Sequence, residues 1–437
     1  MIRPTRSAVL IFLGGVPLSL LLLTYDARVA LLSLNYGLVV LIALACDALL
    51  AFPRRLLDVA VTVPDRLYIG EQGAVVVTIA ATAHPRTTRF EGLLEQRGAG
   101  DPALPVIAAV EPGQAARLAL AVTPRQRGRL SIDAVWLRWR GPLSLIEMTR
   151  SVPADRAIDV LPNVRGVQSA ALQFYAQEAI FGVKVQQQKG ESAEFDSLRE
   201  YVAGLDSRFI DWKHSARHRR MLCKEFTTER NHQVVMAFDT GYLMREPIDG
   251  IPRLDHAINA GLLLAWISLR GGDLVGVYGF DARVRQYLAP IRGLSGFARI
   301  QRATAGLGYH HEETNFTLGL AELGVRLKRR ALVIIFTDFV DTVTAELLVE
   351  SLQRIASRHV VVFVTLRDGL LQRIADAPPD RFTDVAEAVI AHDLLRDRSV
   401  VLERLARLGV HCLDVPSHGL SAGLINRYLL IKQRGLI

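Results

Sequence analysis

The chain has 437 residues, of which 50% are hydrophobic and 22% are charged. This length exceeds one ordinary domain, which excludes a single small binding module, and the apolar composition excludes an intrinsically disordered chain. Lys and Arg total 52 against 44 Asp and Glu, a formal net charge of +8, and the three cysteines lie too far apart in sequence for a zinc motif or a disulfide framework.

Two uncharged apolar runs near the amino terminus predict a transmembrane helical hairpin. They cover about residues 8–25 and 29–50, and each is long enough to cross a bilayer. Asp47, near the end of the second run, is predicted to reach the membrane interface. The alternative interpretation is a buried helical hairpin of a soluble core.

Basic residues flank the outer ends of this hairpin. Arg3 and Arg6 precede the first run, and Arg54 and Arg55 follow the second. By the positive-inside rule, both termini and the bulk of the chain are then cytoplasmic. Residues 1–54 are therefore predicted to be the membrane domain of a multi-pass protein.

Residues 55–162 change to a hydrophobic period of two, with Gly and Pro between the alternating stretches. Such a pattern predicts short strands, and their spacing favours an antiparallel β-sandwich-like domain. The alternating positions are Val59, Val61 and Val63, residues 74–79, Leu118, Leu120 and Val122, Leu130 and Ile132, and finally Val135, Leu137 and Trp139.

Residues 233–437 alternate between apolar strand patterns and helical patterns, which predicts a C-terminal α/β domain with an open, mostly parallel sheet. The predicted strands are 234–238, 274–280, 284–288, 331–336, 359–365 and 410–413. The predicted helices are 258–269, 316–328, 345–357, 380–397, 402–408 and 420–432.

Oxygen-bearing side chains stand where these strands end. Asp239 follows the first strand, Asp338 follows the strand at 331–336, and Thr314 precedes the helix between them. Because ligands gather outside the carboxyl ends of the strands in such sheets, we expect the three side chains to lie close together. Their oxygen atoms suit Mg²⁺, Mn²⁺ or Ca²⁺. The alternative is that they cap helices and form turns.

The same residues resemble the metal-ion-dependent adhesion site of von Willebrand factor A domains, whose pattern is Asp-x-Ser-x-Ser followed by a Thr and an Asp. Asp239, Thr314 and Asp338 match this pattern, whereas Gly241 and Leu243 replace the two serines. The resemblance implies a von Willebrand factor A-like domain. Its site is either a degenerate metal site, completed by a partner's carboxylate, or a vestigial site that holds no metal.

The most specific segment lies at residues 194–217, inside a connecting segment at 163–232. Its distinctive residues are Glu194, Phe195, Leu198, Arg199, Tyr201, Gly204, Asp206, Arg208, Asp211, Trp212, Ala216 and Arg217. This segment closely resembles the signature of the bacterial domain of unknown function 58 family. The order of apolar helices, β-rich region and α/β domain also fits that family, so the resemblance covers essentially the whole chain. One departure is Leu205, which follows Gly204 where the family often has Asp.

The signature also supports structural predictions. A shared helical face predicts a packing helix that Gly204 ends, formed by Phe195, Leu198 and Val202. A second group predicts a fixed ion-pair network that clamps the signature to the α/β domain, with direct partner contact as the alternative. This second group consists of Arg208, Asp211, Trp212 and Arg217.

Positive charge is concentrated in the second part of the signature and in the residues that follow it. From residue 208 to 230 there are seven Lys or Arg and three acidic residues. The candidate partner-binding residues are Lys213, Arg217, Arg219, Arg220 and Lys224. They predict contact with an acidic protein surface, and the alternative function is a membrane protein that binds nucleic acid or anionic lipid here, nucleic acid being the less favoured. A merely solvated surface is the commonest explanation for such a cluster of charges.

The family resemblance implies a partnership with a MoxR-type AAA+ ATPase. The ATPase would supply ATP hydrolysis, and this chain would recruit proteins for the assembly or remodelling of complexes. The resemblance also implies that the predicted membrane is the bacterial inner (cytoplasmic) membrane. The sequence has no phosphate-binding loop, nucleophile elbow or H-E-x-x-H helix, which favours a non-enzymatic adaptor over a hydrolase. No cofactor is predicted apart from the divalent cation.

Overall fold

The computed structural model describes residues 2–23, 30–53, 57–81, 87–98, 100–101, 104–163, 189–202, 207–227, 232–339, 342–378 and 381–437. The chain divides into two compact units, residues 1–163 and 164–437.

The first unit begins with a short strand and two helices. These are β1 (Ile2–Pro4), α1 (Arg6–Leu23) and α2 (Ala30–Leu50). The strands that follow are β2 (Leu57–Thr62), β3 (Arg66–Tyr68), β4 (Gly73–Ala81), β5 (Thr88–Arg97), β6 (Val106–Val110), β7 (Ala115–Val122), β8 (Gly128–Arg140) and β9 (Ile146–Leu161). They form a three-stranded sheet, in the order β2-β4-β7, and a six-stranded sheet, in the order β1-β9-β8-β5-β6 with β3 beside β9.

The predicted transmembrane hairpin is wrong. Among the residues that the structure describes, no helix combines the length and the apolar character that a membrane crossing requires. The predicted location, as a multi-pass protein of the bacterial inner membrane, is corrected with it. The two apolar runs do form helices, but an uncharged run does not by itself specify what the helix packs against. Arg54 and Arg55, which oriented the predicted hairpin, lie outside the described residues.

Both helices are joined to the β-strands of the first unit. Before α1, strand β1 pairs with β9, and the Thr5 hydroxyl donates a hydrogen bond to the carbonyl of Ser144 at 2.8 Å. In α2, the Asp47 side chain is fully buried rather than at an interface. Its carboxylate accepts hydrogen bonds from three backbone N–H groups of the β8–β9 turn, those of Leu143, Leu145 and Ile146, at 2.7, 2.8 and 2.9 Å.

The β-strands form two facing sheets. Leu118 and Leu120 of β7 lie against Gly92 of β5, so the two sheets bury their apolar faces together. All pairings are antiparallel except that of β3 with β9. The two strands predicted around residues 130–139 are one strand, β8, because an irregularity between Ile132 and Ala134 shifts the alternation without ending the pairing.

The second unit begins with a small two-stranded sheet. It consists of β10 (Lys189–Glu200) and β11 (Leu222–Thr227), which pair antiparallel, with α3 (Trp212–His218) between them. The helix predicted through Phe195 and Leu198 is therefore wrong. Pairing with β11 overrides the helical spacing of these residues, because a partner strand is a tertiary feature that local spacing does not contain.

The rest of the second unit is an α/β sheet with helices on both faces. Its strands are β12 (Gln233–Asp239), β13 (Pro247–Ile248), β14 (Ile251–Pro252), β15 (Leu274–Phe280), β16 (Val284–Ile291), β17 (Ala331–Phe336), β18 (Val360–Leu366) and β19 (His411–Val415). Its helices are α4 (Tyr242–Arg245), α5 (Arg253–Arg270), α6 (Phe297–Ala305), α7 (Phe316–Arg326), α8 (Thr342–Ala356), α9 (Gly369–Asp376), α10 (Phe382–Arg407) and α11 (Leu420–Gln433).

The main sheet has the order β16-β15-β12-β17-β18-β19, and only β16 is antiparallel to its neighbour. Its central strands are buried on both faces, which explains their continuous apolar runs. Helices α5, α6 and α11 cover one face, and α7, α8 and α10 cover the other. The strands and helices predicted from the sequence in this region are present, with ends that differ by a few residues, and the helices predicted at 380–397 and 402–408 form one continuous helix, α10.

Candidate functional site

The candidate site lies at the carboxyl ends of β12 and β17. These strands are parallel neighbours, so Asp239, which ends β12, stands beside Thr337 and Asp338, which follow β17. Thr314 precedes α7 and reaches the same place. We call these four residues the rim. The structure thus brings the three predicted metal-ligand residues together, whereas Thr337 was not among the predicted ligands.

The Asp239 carboxylate is satisfied within the chain. It accepts hydrogen bonds from the hydroxyls of Thr314 and Thr337, both at 2.6 Å, and from the backbone N–H of Gly241 at 2.8 Å. Its side chain is almost completely buried. Burial raises the pKa of Asp239 to about 6, and the three hydrogen bonds offset part of that rise. Both threonine hydroxyls therefore face a carboxylate rather than an open coordination position.

Asp338 is held by two arginines. Arg253, the first residue of α5, forms an ion pair with Oδ2 of Asp338. Arg398, in the middle of α10, donates to Oδ1 at 2.8 Å, and the Thr365 hydroxyl donates to the same oxygen at 2.9 Å. Burial, followed by the charge of Arg398, lowers the pKa of Arg253. Both arginines are mostly buried, so they are fixed parts of the site.

The residues of the rim do not fit a divalent cation. At about 4 Å, one guanidinium would repel a divalent cation by about 8 kcal/mol at an effective dielectric constant of about 20, which cancels the attraction of one carboxylate at the same distance. A serine at position 241 also has no room, because a Cβ on Gly241 would lie 2.2 Å from the Thr314 hydroxyl oxygen. Within the described part of the chain, no group of three or more His, Cys, Asp or Glu side chains is placed to hold a metal ion.

A third buried carboxylate lies at the end of β15, the neighbour of β12. Asp281 follows β15 and accepts hydrogen bonds from Thr240 at 2.9 Å and from Arg285 at 2.7 Å, and Arg285 also pairs with Glu312. Burial alone would raise the pKa of Asp281, but the hydrogen bonds from Arg285 and Thr240 outweigh it and leave the pKa below its usual value. The polar segment before Thr314 therefore contributes to an ion-pair network.

The signature segment forms the small sheet and α3. Asp211 caps α3, accepting from the backbone N–H of His214 at 3.0 Å, and it pairs with Lys224 at 3.3 Å. The backbone hydrogen bond from His214, together with the side chains of His214 and Lys224, keeps the pKa of Asp211 well below its usual range. Trp212 is 69% exposed, so the predicted clamp is not built around it. Gly204 and Asp206 lie outside the described residues.

The candidate partner-binding residues are near one another in sequence but differ in environment. Lys213 and Arg217 are exposed on α3, and Arg219 ends that helix in the left-handed conformation. Arg220 pairs with Glu200 at 3.3 Å, while Lys224 of β11 pairs with Asp211. The side chains of Arg208, Glu194 and Phe195 lie outside the described residues, as does Arg230.

Helix α10 has a feature that the sequence analysis missed. Phe382, Val385, Val389 and Ile390 are 88%, 44%, 55% and 59% exposed. Their spacing places them on one side of the helix, and we call this set the outer face of α10. Ala391, Val401 and Leu405 are buried on its other side. The apolar spacing of residues 382–390 was a visible signal, but sequence spacing alone does not distinguish a buried face from an exposed one.

The two arginines that contact Asp338 were not predicted from the sequence, and no sequence signal could have identified them. Arg253 and Arg398 lie 85 and 60 residues from Asp338 along the chain. An Arg at the start of one helix and another in the middle of a charged helix are ordinary surface residues by composition. Only the packing of α5 and α10 against the sheet edge brings them to the same carboxylate.

One family model matches part of the chain. Residues 197–396 match the family model described as protein of unknown function DUF58. No curated protein matches the chain.

Solved structures show only weak similarity. Trypsin-activated alpha-2-macroglobulin from Escherichia coli has 12% identity and a TM-score of 0.18, over 24% of this chain and 7% of that chain. The conserved hypothetical protein BatB from Bacteroides thetaiotaomicron has 14% identity and a TM-score of 0.28, over 44% and 97%. An uncharacterized membrane spanning protein from Vibrio fischeri has 11% identity and a TM-score of 0.18, over 47% and 98%. These TM-scores are low, and no conclusion about fold or function follows from them.

Proposed function

We propose, from the match of residues 197–396 to the DUF58 family model, that the chain is a non-enzymatic adaptor that binds another protein through its α/β unit. The observation that carries the proposal is the outer face of α10. These apolar side chains lie on the solvent side of the helix and do not contribute to a hydrophobic core. Exposed apolar patches of this kind are typical of protein interaction sites.

The rim supports a binding role over a catalytic one. Its two carboxylates are buried and hydrogen-bonded by groups of the same chain. A general acid or base must reach a proton on its substrate, and these oxygens are directed at internal partners instead. We therefore assign the rim a structural role beside the binding surface.

The partner that we propose is a MoxR-type AAA+ ATPase, as the family resemblance implies. In this arrangement the ATPase hydrolyses ATP, and this chain recruits the protein complexes that are assembled or remodelled. The predicted membrane anchoring is not part of the proposal. Apolar helix faces of this kind bind in grooves through side chains at i, i+3 and i+7, which matches Phe382, Val385 and Val389.

The test is a binding measurement between the purified full chain and the MoxR-type ATPase encoded in the same genome. Val389→Asp places a charge in the outer face and is expected to weaken binding at least tenfold. Val325→Asp is the matched control, because Val325 is an 81% exposed apolar residue on another helix, α7. Equal affinity of the wild type and Val389→Asp, or no binding by the wild type, would contradict the proposal.

The salt dependence of binding distinguishes this function from nucleic-acid binding by the basic residues at 208–230. Contact through an apolar face is expected to change little between 50 and 300 mM salt, because it does not depend on counterion release. Binding to DNA or RNA would fall steeply over the same range. The same titration should therefore be run with a duplex DNA probe. Tight, salt-sensitive DNA binding that is lost in Lys213→Glu would favour the alternative.

A further inference from the structure

Two positively charged side chains contact the rim. Arg253 contacts Oδ2 of Asp338 and Arg398 contacts Oδ1, so both oxygens of this carboxylate are occupied by guanidinium groups. The exposed fractions of the two arginine side chains are only 15% and 17%. Two guanidinium groups supply the same charge as one divalent cation, and their planar geometry suits a carboxylate.

Arg398 has further partners at the same sheet edge. Its Nη2 donates to the Thr365 hydroxyl at 2.5 Å, to the carbonyl of Leu366 at 3.0 Å and to Asp414 at 3.2 Å. Thr365 and Leu366 belong to β18 and Asp414 belongs to β19, while Asp338, which Arg398 also contacts, is the second residue after β17. One side chain of α10 thus joins three consecutive parallel strands at their carboxyl ends.

Arg253 extends the network in the other direction. Its second terminal nitrogen lies 3.8 Å from the carboxylate of Asp368, which caps α9. Helices α9 and α10 follow each other in the chain, and α10 holds its outer face on the side opposite to Arg398. The arginines therefore connect the rim to both helices next to the proposed binding surface.

We infer that Arg253 and Arg398 take the place of a divalent cation at the rim, and that Arg398 fastens α10 to the sheet edge without any metal. The fastening does not depend on the proposed function. One consequence, that chelators leave the affinity for the partner unchanged, rests on the proposed function.

Hydrogen exchange of the full chain tests the fastening. Arg398→Gln removes the charge that pairs with Asp338, and we expect amide exchange across residues 382–407 to become at least tenfold faster. Arg396→Gln is the matched control, because Arg396 is an exposed residue of the same helix, two positions away. It should leave the exchange of α10 unchanged. Equal exchange in the two variants would overturn the inference.

A second variant covers the case in which Arg398→Gln does not fold. Arg398→Lys keeps the positive charge but loses the planar fork that reaches several acceptors, so exchange across α10 should lie between that of the wild type and an unfastened helix. Exchange identical to that of the wild type would mean that the network around Arg398 does not fasten the helix, and it would count against the inference.

Titration of Mn²⁺ into the wild-type chain tests the replacement of the cation. We expect no saturable binding at the rim, and we expect the exchange of α10 to be the same with Mn²⁺ and with EDTA. Stoichiometric Mn²⁺ binding that is abolished by Asp239→Asn or by Asp338→Asn would show that the rim is a metal site and would refute the inference. If chelators weaken ATPase binding while the rim binds no Mn²⁺, the proposed mode of partner binding fails and the inference about the arginines stands.

Discussion

Three buried acids of the α/β unit are each matched by donor side chains of the same chain. Asp239 has two threonine hydroxyls, Asp338 has two arginines, and Asp281 has Arg285 and Thr240. An unpaired buried carboxylate would cost several kcal/mol, so each acid depends on its partners for a stable folded state. Small changes at these positions are therefore expected to have large, local effects.

At Gly241, the addition of a single methyl group is expected to disturb a buried acid. Gly241→Ala is expected to destabilise the fold by about 1–3 kcal/mol, because its Cβ would meet the Thr314 hydroxyl at 2.2 Å and the Asp239 carboxylate at 3.1 Å. Gly324→Ala is the control, since no atom lies within 4 Å of the added carbon there and an alanine in a helix is favoured by about 0.5–1 kcal/mol. Urea unfolding measures both. A neutral Gly241→Ala would mean that Thr314 turns away without cost.

The burial of Asp239 predicts a dependence of stability on pH. Because burial raises its pKa from 3.8 to about 6, the folded protein holds this proton to a higher pH than the unfolded chain does. The resulting stabilisation is fully present below about pH 4 and is lost as the pH rises through about 6, and it amounts to at most about 3 kcal/mol.

The variant Asp239→Asn measures the contribution of Asp239 to the pH dependence of stability. The free energy of unfolding of the wild type, relative to that of Asp239→Asn, should fall between pH 4 and pH 8, because the amide does not titrate. Taking the difference between the two proteins removes the contribution of all other groups that titrate equally in both. Chemical denaturation at several pH values provides the data, and parallel stability curves would show that Asp239 ionises normally in the folded state.

At the scale of elements, packing decides how a helix or strand is used. Helix α10 has an apolar outer face and a buried side that includes Arg398, although charged residues are interspersed along its length. Residues 195–198, which have helical spacing, form a strand because β11 is available as a partner. Helix α2 places a carboxylate against a β-turn. None of these outcomes follows from the hydrophobic period of the element alone.

Asp47 is expected to be essential for the junction between α2 and the β8–β9 turn. Asp47→Ala leaves three backbone N–H groups without their acceptor and should cost about 2–5 kcal/mol, whereas Asp47→Asn keeps one acceptor oxygen and should cost less. Hydrogen exchange at residues 143–146 should become faster in both variants, in that order. Exchange in β12 and β17, which belong to the other unit, serves as the internal reference. Unchanged protection at 143–146 would contradict the role of Asp47.

At the scale of the whole molecule, the two units have different kinds of core. In the first unit, two sheets bury one face each, so apolar and polar residues alternate along their strands. In the second unit, the central strands are covered by helices on both faces and are apolar throughout. This difference between alternating and continuous apolar runs is why the sequence pattern alone predicted a β-rich region followed by an α/β region.

The candidate site was predictable only in part. Asp239, Thr314 and Asp338 could be predicted to converge, because the carboxyl ends of parallel strands meet at one edge of a sheet. The predicted metal-binding role could not be judged from these residues, since the groups that decide it are Arg253 and Arg398. These arginines come from helices far away in the sequence, and nothing local to them indicates a shared carboxylate.

The sequence by itself determined the positions of the strands of the main α/β sheet and of most of its helices, because hydrophobic period and turn residues act within a few neighbouring positions. Tertiary structure alone decided which surface each helix presents and which donors each buried acid receives. The physical reason is that these properties depend on the free energy of contacts between segments tens of residues apart, such as Asp47 with Leu143 and Asp338 with Arg398. Such contacts exist only once the chain has folded.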